Sequence, residues 1–194
     1  MLIELPELNL YQERYETIET QPLRIHLHLV HNSQLAGYDP VALDNLLARA
    51  VLMEATGGQT MLDSKRVYVL PVPLKRLWQS PEGLPLWAAT QFWPEGVAVS
   101  DIVYWHKRVQ RGEFTGTKTG KLSIKSTDGR WMERRVPLPV KAACDHWCAE
   151  CIGNPEEIAR LLSTISHVGK RRSNGFGEVD RWEIEEITEF AQLS

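Results

Sequence analysis

Residues 154–184 read NPEEIARLLSTISHVGKRRSNGFGEVDRWEI, and three local signals in this stretch set the frame for the rest of the chain. Asn154 is a good N-cap, Pro155 suits the first helical position, and Glu157 stands three residues after the cap, as in a capping box. Ile158, Leu161, Leu162 and Ile165 then fall at i, i+3, i+4 and i+7, which predicts a helix with one apolar stripe. Gly169 is the expected C-terminal stop. After it comes Gly169-Lys-Arg-Arg-Ser-Asn-Gly175-Phe-Gly177, leading into a strand over 178–184.

The three glycines of this loop permit positive φ and close backbone approach, while Lys170, Arg171 and Arg172 supply charge. It is not a Walker loop, which needs Ser or Thr where Arg171 stands. Nor is it a dinucleotide fingerprint, which runs from strand to helix rather than from helix to strand. A phosphate backbone held by basic side chains and main-chain amides is the reading it supports. The plainer alternative is a tight connection with a solvated, charged surface.

The order helix, Gly-Lys-Arg-Arg-Ser-Asn-Gly-Phe-Gly, strand near the C-terminus resembles the glycine-rich loop of the RAMP superfamily of CRISPR-associated RNA-binding proteins. Within it, the chain is most similar to the 5′-handle-binding subunit of type IV effector complexes. The early strand over 23–30 and the helix containing Leu43-Asp44-Asn45-Leu46-Leu47-Ala48-Arg49-Ala50 agree with that likeness. The resemblance implies an α+β, ferredoxin-like (RRM-like) fold with an inserted basic β-hairpin and the C-terminal glycine-rich loop. It also implies a non-catalytic subunit that grips the repeat-derived handle of CRISPR RNA and caps a filament of backbone subunits. The expected partners are then that RNA, the backbone and large subunits, target DNA indirectly near its flanking motif, and an accessory helicase, in RNA-guided DNA interference serving antiviral defence.

Composition is that of an ordinary globular chain: 194 residues, 43% hydrophobic and 24% charged, with a net charge of −3. A single domain is expected. The sequence has no apolar run of the ~20 residues a membrane span requires and no signal-peptide pattern, so the expectation is a cytoplasmic protein without a membrane partner. The average charge hides an asymmetry. Residues 104–141 carry ten Lys or Arg against three acids, a local +7 that leaves −10 for the remainder. A chain polarised in this way can present one basic face to a phosphate chain.

Residues 1–20, with five Glu and one Arg, read as an acidic extension. Leu23, Ile25, Leu27 and Leu29 alternate with Arg24, His26 and His28, the period-two pattern of a half-buried strand. Both histidines therefore point away from the core, where they could contact RNA, although lone surface histidines are more often inert. Asp39 and Pro40 look like a helix start, Leu43, Leu46, Leu47, Ala50 and Val51 form a stripe, and Gly57-Gly58 stops it. Residues 65–70 read as the second strand of a β-α-β opening.

Residues 71–95 read as a Pro- and Trp-rich insertion, in which Trp78, Trp87 and Trp93 are expected as packing or subunit anchors rather than as base-stacking platforms. A strand over 97–105 runs into His106, Lys107, Arg108 and Arg111. Past the polar run containing Lys118, a hairpin is expected in which Lys121, Ser123 and Lys125 share a face. Asp128-Gly129 makes its turn, and a return strand over 131–136 brings Trp131, Arg134 and Arg135. The candidate RNA-binding set is this ribbon together with the loop residues Lys170, Arg171, Arg172, Ser173, Asn174, Gly175, Phe176 and Gly177, with Phe176 or Trp131 available for stacking.

Cys144-Asp-His-Trp-Cys148-Ala-Glu-Cys151 suggests a metal motif, with His146 or His167 as a further ligand. Its spacing also matches a helical stripe of Cys144, Trp147, Cys148 and Cys151, so the expectation is a core helix of free thiols and no cofactor. Two other functions stay open. One is a metal-independent endoribonuclease, as in some members of the superfamily, using His26, His28, His31 or His106 with Lys107 as acid and base. The other is a zinc-containing interaction module centred on the cysteines.

Overall fold

The computed structural model describes residues 2–3, 5–37, 39–59, 67–107 and 134–190. In chain order the elements are β1 (Leu2–Ile3), α1 (Asn9–Glu16), β2 (Gln21–Leu29), β3 (Leu35–Ala36), α2 (Leu43–Ala55), β4 (Val67–Tyr68), β5 (Arg76–Gln79), β6 (Pro85–Trp87), β7 (Trp93–Pro94), β8 (Val99–Lys107), β9 (Arg134–Ala142), β10 (His146–Gly153), α3 (Pro155–Leu162) and β11 (Val179–Glu186). The central sheet has the order β11-β2-β10-β7, antiparallel throughout. With α2 between β2 and β7, and α3 between β10 and β11, this is the βαββαβ ferredoxin-like arrangement, strand order 4-1-3-2. The fold is α+β, as the sequence leads one to expect. No helix among the described residues is long and apolar enough to cross a membrane.

The core lies between the sheet and its two principal helices. Leu23, Ile25, Leu27 and Leu29 of β2 meet Leu43, Leu47 and Val51 of α2 and Ile158, Leu161 and Leu162 of α3. The alternation of β2 is borne out, and its polar residues occupy the face without helices. Asn154 caps α3 as expected, its side-chain oxygen accepting from the Glu157 amide at 2.9 Å.

Several expectations are corrected. The second strand of the ferredoxin unit is β7, not residues 65–70: Val67 and Tyr68 pair with Leu2 and Ile3 outside the central sheet. An irregular chain leads to β7 along the edge of β10, with Ala89 bridging Cys151. Helix α2 starts at Leu43 with Ala42 at its N-cap, while Asp39 turns away to pair with Lys170. Helix α3 ends at Leu162, well before Gly169. The capping-box role of Glu157 also fails, because its carboxylate faces Arg14, Tyr15 and Arg160 instead.

Residues 1–20 contain α1, which those contacts hold against α3. The segment 144–153 is not a helix: His146–Gly153 forms strand β10. It is covered on both faces, so the sequence has no alternation to betray it.

Candidate nucleic-acid interface

The glycine-rich loop is sewn to β3. Lys170 N donates to Ala36 O at 2.7 Å, Gly177 N to Gln34 O at 2.9 Å, and Val168 N to Gly177 O at 2.8 Å. Gly169 and Gly177 both have positive φ, and a Cβ would stand 2.8 Å from Ala36 O at Gly169 and 2.0 Å from Val168 O at Gly177. Backbone approach this close requires glycine at both positions. Between them the chain makes a short turn over Arg172–Asn174, entered through Arg171 at φ 58°.

This turn leaves Arg171, Ser173, Asn174 and Gly175 exposed. The three cations diverge. Lys170 makes an exposed ion pair with Asp39 at 3.0 Å, Arg171 points outward, and Arg172 folds back, half-buried, toward α2.

Arg172 borders an open groove of about 820 Å³ between α2 and the segment following α3, lined also by Arg49, Met53, Ser166, His167 and Ser173. Partial burial and the nearby Arg49 guanidinium push Arg172 below its usual value. Neither arginine meets a carboxylate within ion-pair distance among the described residues. Two like charges held side by side in this way favour an anion between them. Arg49 is the residue that sequence reasoning missed. It lies beside the apolar stripe of α2, and nothing local shows that the loop folds back onto it.

The loop stands at the foot of the basic ribbon. Phe176 packs on a small second core of Ala36, Val103, Leu138 and Val140, which joins β3, β8 and β9. It is thus half-buried, with part of its ring serving as a strut. Strands β8 and β9 pair along nine residues, with His106 opposite Arg135 and Lys107 opposite Arg134 at the far end. The return strand is therefore longer than expected, and it places Arg134 and Arg135 against His106 and Lys107. Pro137 and Pro139 are accommodated because Pro139 O accepts from Gly37 N, so the prolines' missing N–H groups fall on the side away from β8. Arg108, Arg111, Lys118, Lys121, Lys125 and Trp131, and the turn at 128–129, lie outside the described residues.

The helix-free face of the central sheet is a second, different surface. Cross-strand register sets His26 opposite Cys148, His28 opposite His146 and Arg24 opposite Glu150, with β11 adding Arg181, Glu183 and Glu185 opposite the same β2 residues. Arg24 Nη2 meets the buried Glu150 carboxylate at 2.9 Å. The His28 and His146 rings stack with centroids 4.3 Å apart. Burial, followed by the proximity of His28 and His26, lowers the pKa of His146; burial and then Glu95 push the Cys148 thiol up to about 12. With Glu95, Glu183 and Glu185 at its margin, this face is poorly suited to a phosphate chain, unlike the bare sheet of RNA-recognition folds.

The acid–base candidates do not form one constellation. His26 and His28 join this face, His31 pairs with Asp145 at its edge at 3.0 Å, and the His106 backbone belongs to the ribbon. The cysteines separate too. Cys151 faces the helices, Cys148 faces the opposite side, and the Cys144 thiol lies against His146 O, so all three are buried free thiols but cannot share a metal.

No protein-family model matches the chain, and no curated protein matches it. Among solved structures, the chain is similar to one described as "Cryo-EM structure of the Type III-B Cmr-beta bound to cognate target RNA", with 12% identity and a TM-score of 0.40. That likeness covers 90% of this chain and 63% of the other.

Proposed function

We propose that this chain is a non-catalytic RNA-binding subunit of the RAMP type, gripping the 5′ handle of CRISPR RNA and capping the backbone of a type IV effector complex. The observation that carries the reading is the joining of two basic elements, the glycine-rich loop and the long β8–β9 ribbon, through one small shared core. Arg49 and Arg172 offer the loop's side of the groove a pair of guanidiniums, and Lys107 and Arg134 stand at facing backbone positions of the ribbon. A single strand laid from groove to ribbon would meet cations along its path while avoiding the acid-bordered sheet face. The handle, the type IV assembly and the partner subunits are inferred from the sequence resemblance.

Replacing Lys170, Arg171 and Arg172 together by alanine is the test. Each phosphate neutralised on a single strand contributes about 0.7 to the slope of log K against log salt, so three lost contacts should flatten that slope by about 2. The measurement is a salt titration of handle RNA binding by fluorescence anisotropy, and an unchanged slope would remove the loop from the interface. Asp39→Asn should act in the opposite direction. Freed from its exposed ion pair, Lys170 should tighten binding by about twofold in the same assay, the small gain typical of a surface pair.

A further inference from the structure

The helix-free face holds three metal-ligating atoms that strand register, not sequence proximity, brings together. His26 Nδ1 lies 3.0 Å from His146 Nε2 and 3.1 Å from Cys148 Sγ, and the last two atoms are 3.7 Å apart. A tetrahedral zinc ion with Zn–N near 2.0–2.1 Å and Zn–S near 2.3 Å would space its ligands about 3.3 Å (N to N) and about 3.6 Å (N to S). The triangle matches one face of that tetrahedron to within about half an ångström.

The surroundings fit the same use. Glu185 Oε2 lies 3.3 Å from His26 Nε2, an acceptor that favours the tautomer protonated there and leaves the Nδ1 lone pair for a metal. This is the carboxylate–histidine arrangement that orients a metal-bound imidazole. His28 stacks on His146 at an interplanar angle of 11° and holds that ring's orientation. Cys148 is fully buried, while His26 and His146 are half-buried.

We infer that His26, His146 and Cys148 form a zinc site that clips β10 to β2, with a water in the fourth position. Thiolate and imidazole together favour zinc over magnesium or calcium, which prefer oxygen donors. On binding, Zn–N bonds form to two neutral imidazoles, a Zn–O bond to a water, and a Zn–S bond as the thiol proton passes to solvent. No oxidation state changes. The ion has a structural role: it cross-links β2 and β10 where His26 and Cys148 stand directly opposite each other. The site stands apart from the basic loop and does not depend on the RNA-binding reading.

The test uses the full chain, stripped by chelator and titrated with Co(II) and then Zn(II). Expected are one equivalent bound, tetrahedral Co(II) d–d bands with a thiolate-to-cobalt charge-transfer band, and a thermal midpoint raised by about 5–10 °C with zinc at about a hundred times its Kd. The charge-transfer band should vanish in Cys148→Ser and persist in Cys151→Ser, whose thiol lies on the opposite face of β10. Because Cys148 is buried, a Cys148→Ser chain that loses its circular dichroism would be uninformative alone, and Glu185→Gln then decides. This exposed substitution should weaken zinc binding about 10–100-fold. Sub-stoichiometric metal, an octahedral cobalt spectrum, a charge-transfer band surviving in Cys148→Ser, or unchanged affinity in Glu185→Gln would overturn the assignment.

Discussion

Gly177→Ala should cost about 3 kcal/mol of stability and release the glycine-rich loop from β3, although it removes no charge. Gly177 sits at φ +65°, where an L-residue is strained by about 1–2 kcal/mol. The larger obstacle is the added Cβ, which would stand 2.0 Å from Val168 O and 2.9 Å from its carbonyl carbon. The backbone must move, and the hydrogen bonds from Val168 N to Gly177 O and from Gly177 N to Gln34 O are the ones that break.

If the loop binds RNA through the placement of its cations, this variant should lose about tenfold or more in handle affinity while every cation remains in the sequence. Gly175→Ala is the comparison. It shares the positive φ but has nothing within 4 Å, so it should bring only the strain. Chemical denaturation and RNA titration of both variants would check this, and equal losses at the two positions would show that close approach is not what Gly177 provides.

Glu157→Ala is expected to lower stability by about 3 kcal/mol, seen as a fall of about 6–12 °C in the thermal midpoint. Its carboxylate is buried, and it ties three helices together. Tyr15 OH donates to Oε2 at 3.1 Å, Arg160 Nη2 lies 3.0 Å from Oε2, and Arg14 pairs with Oε1. Arg160 in turn meets Glu54 of α2 at 2.6 Å. Alanine would leave the buried Tyr15 hydroxyl without its acceptor, and α1 would lose its main attachment to α3.

Burial alone would raise the Glu157 pKa, but the hydrogen bond and charge of Arg160, with Tyr15 and Arg14, hold it below its ordinary 4.5. A carboxylate whose pKa is depressed on folding contributes stability that is fully present above the unfolded value. That contribution fades as pH falls through the folded one. The gap between wild type and Glu157→Gln should therefore be widest near neutrality and shrink below about pH 4. Handle affinity per folded molecule should not change, which separates this substitution from Gly177→Ala.

Periodicity and local chemistry made some elements readable from the sequence. Leu23, Ile25, Leu27 and Leu29 revealed β2 because one of its faces is apolar and the other polar. The stripes of α2 and α3 and the Asn154 cap were equally local, and so was the need for glycine at 169 and 177, although not its cause. Residues 144–153 misled because β10 is buried on both faces, and its cysteines happened to match a helical spacing. The second strand was misplaced because β7 is two residues long and follows an irregular segment, leaving no pattern to detect.

Only the tertiary structure decided which distant groups meet. Glu157, placed as a cap by its sequence neighbours, is instead claimed by Arg14 and Tyr15 more than 140 positions earlier. Arg49 reaches the loop only because α2 packs beside the end of α3. His26 and Cys148 converge because antiparallel register sets them directly opposite each other. Sequence spacing governs which face of its own element a side chain takes, but contact between elements depends on how they pair and pack, and that is settled only when the whole core closes.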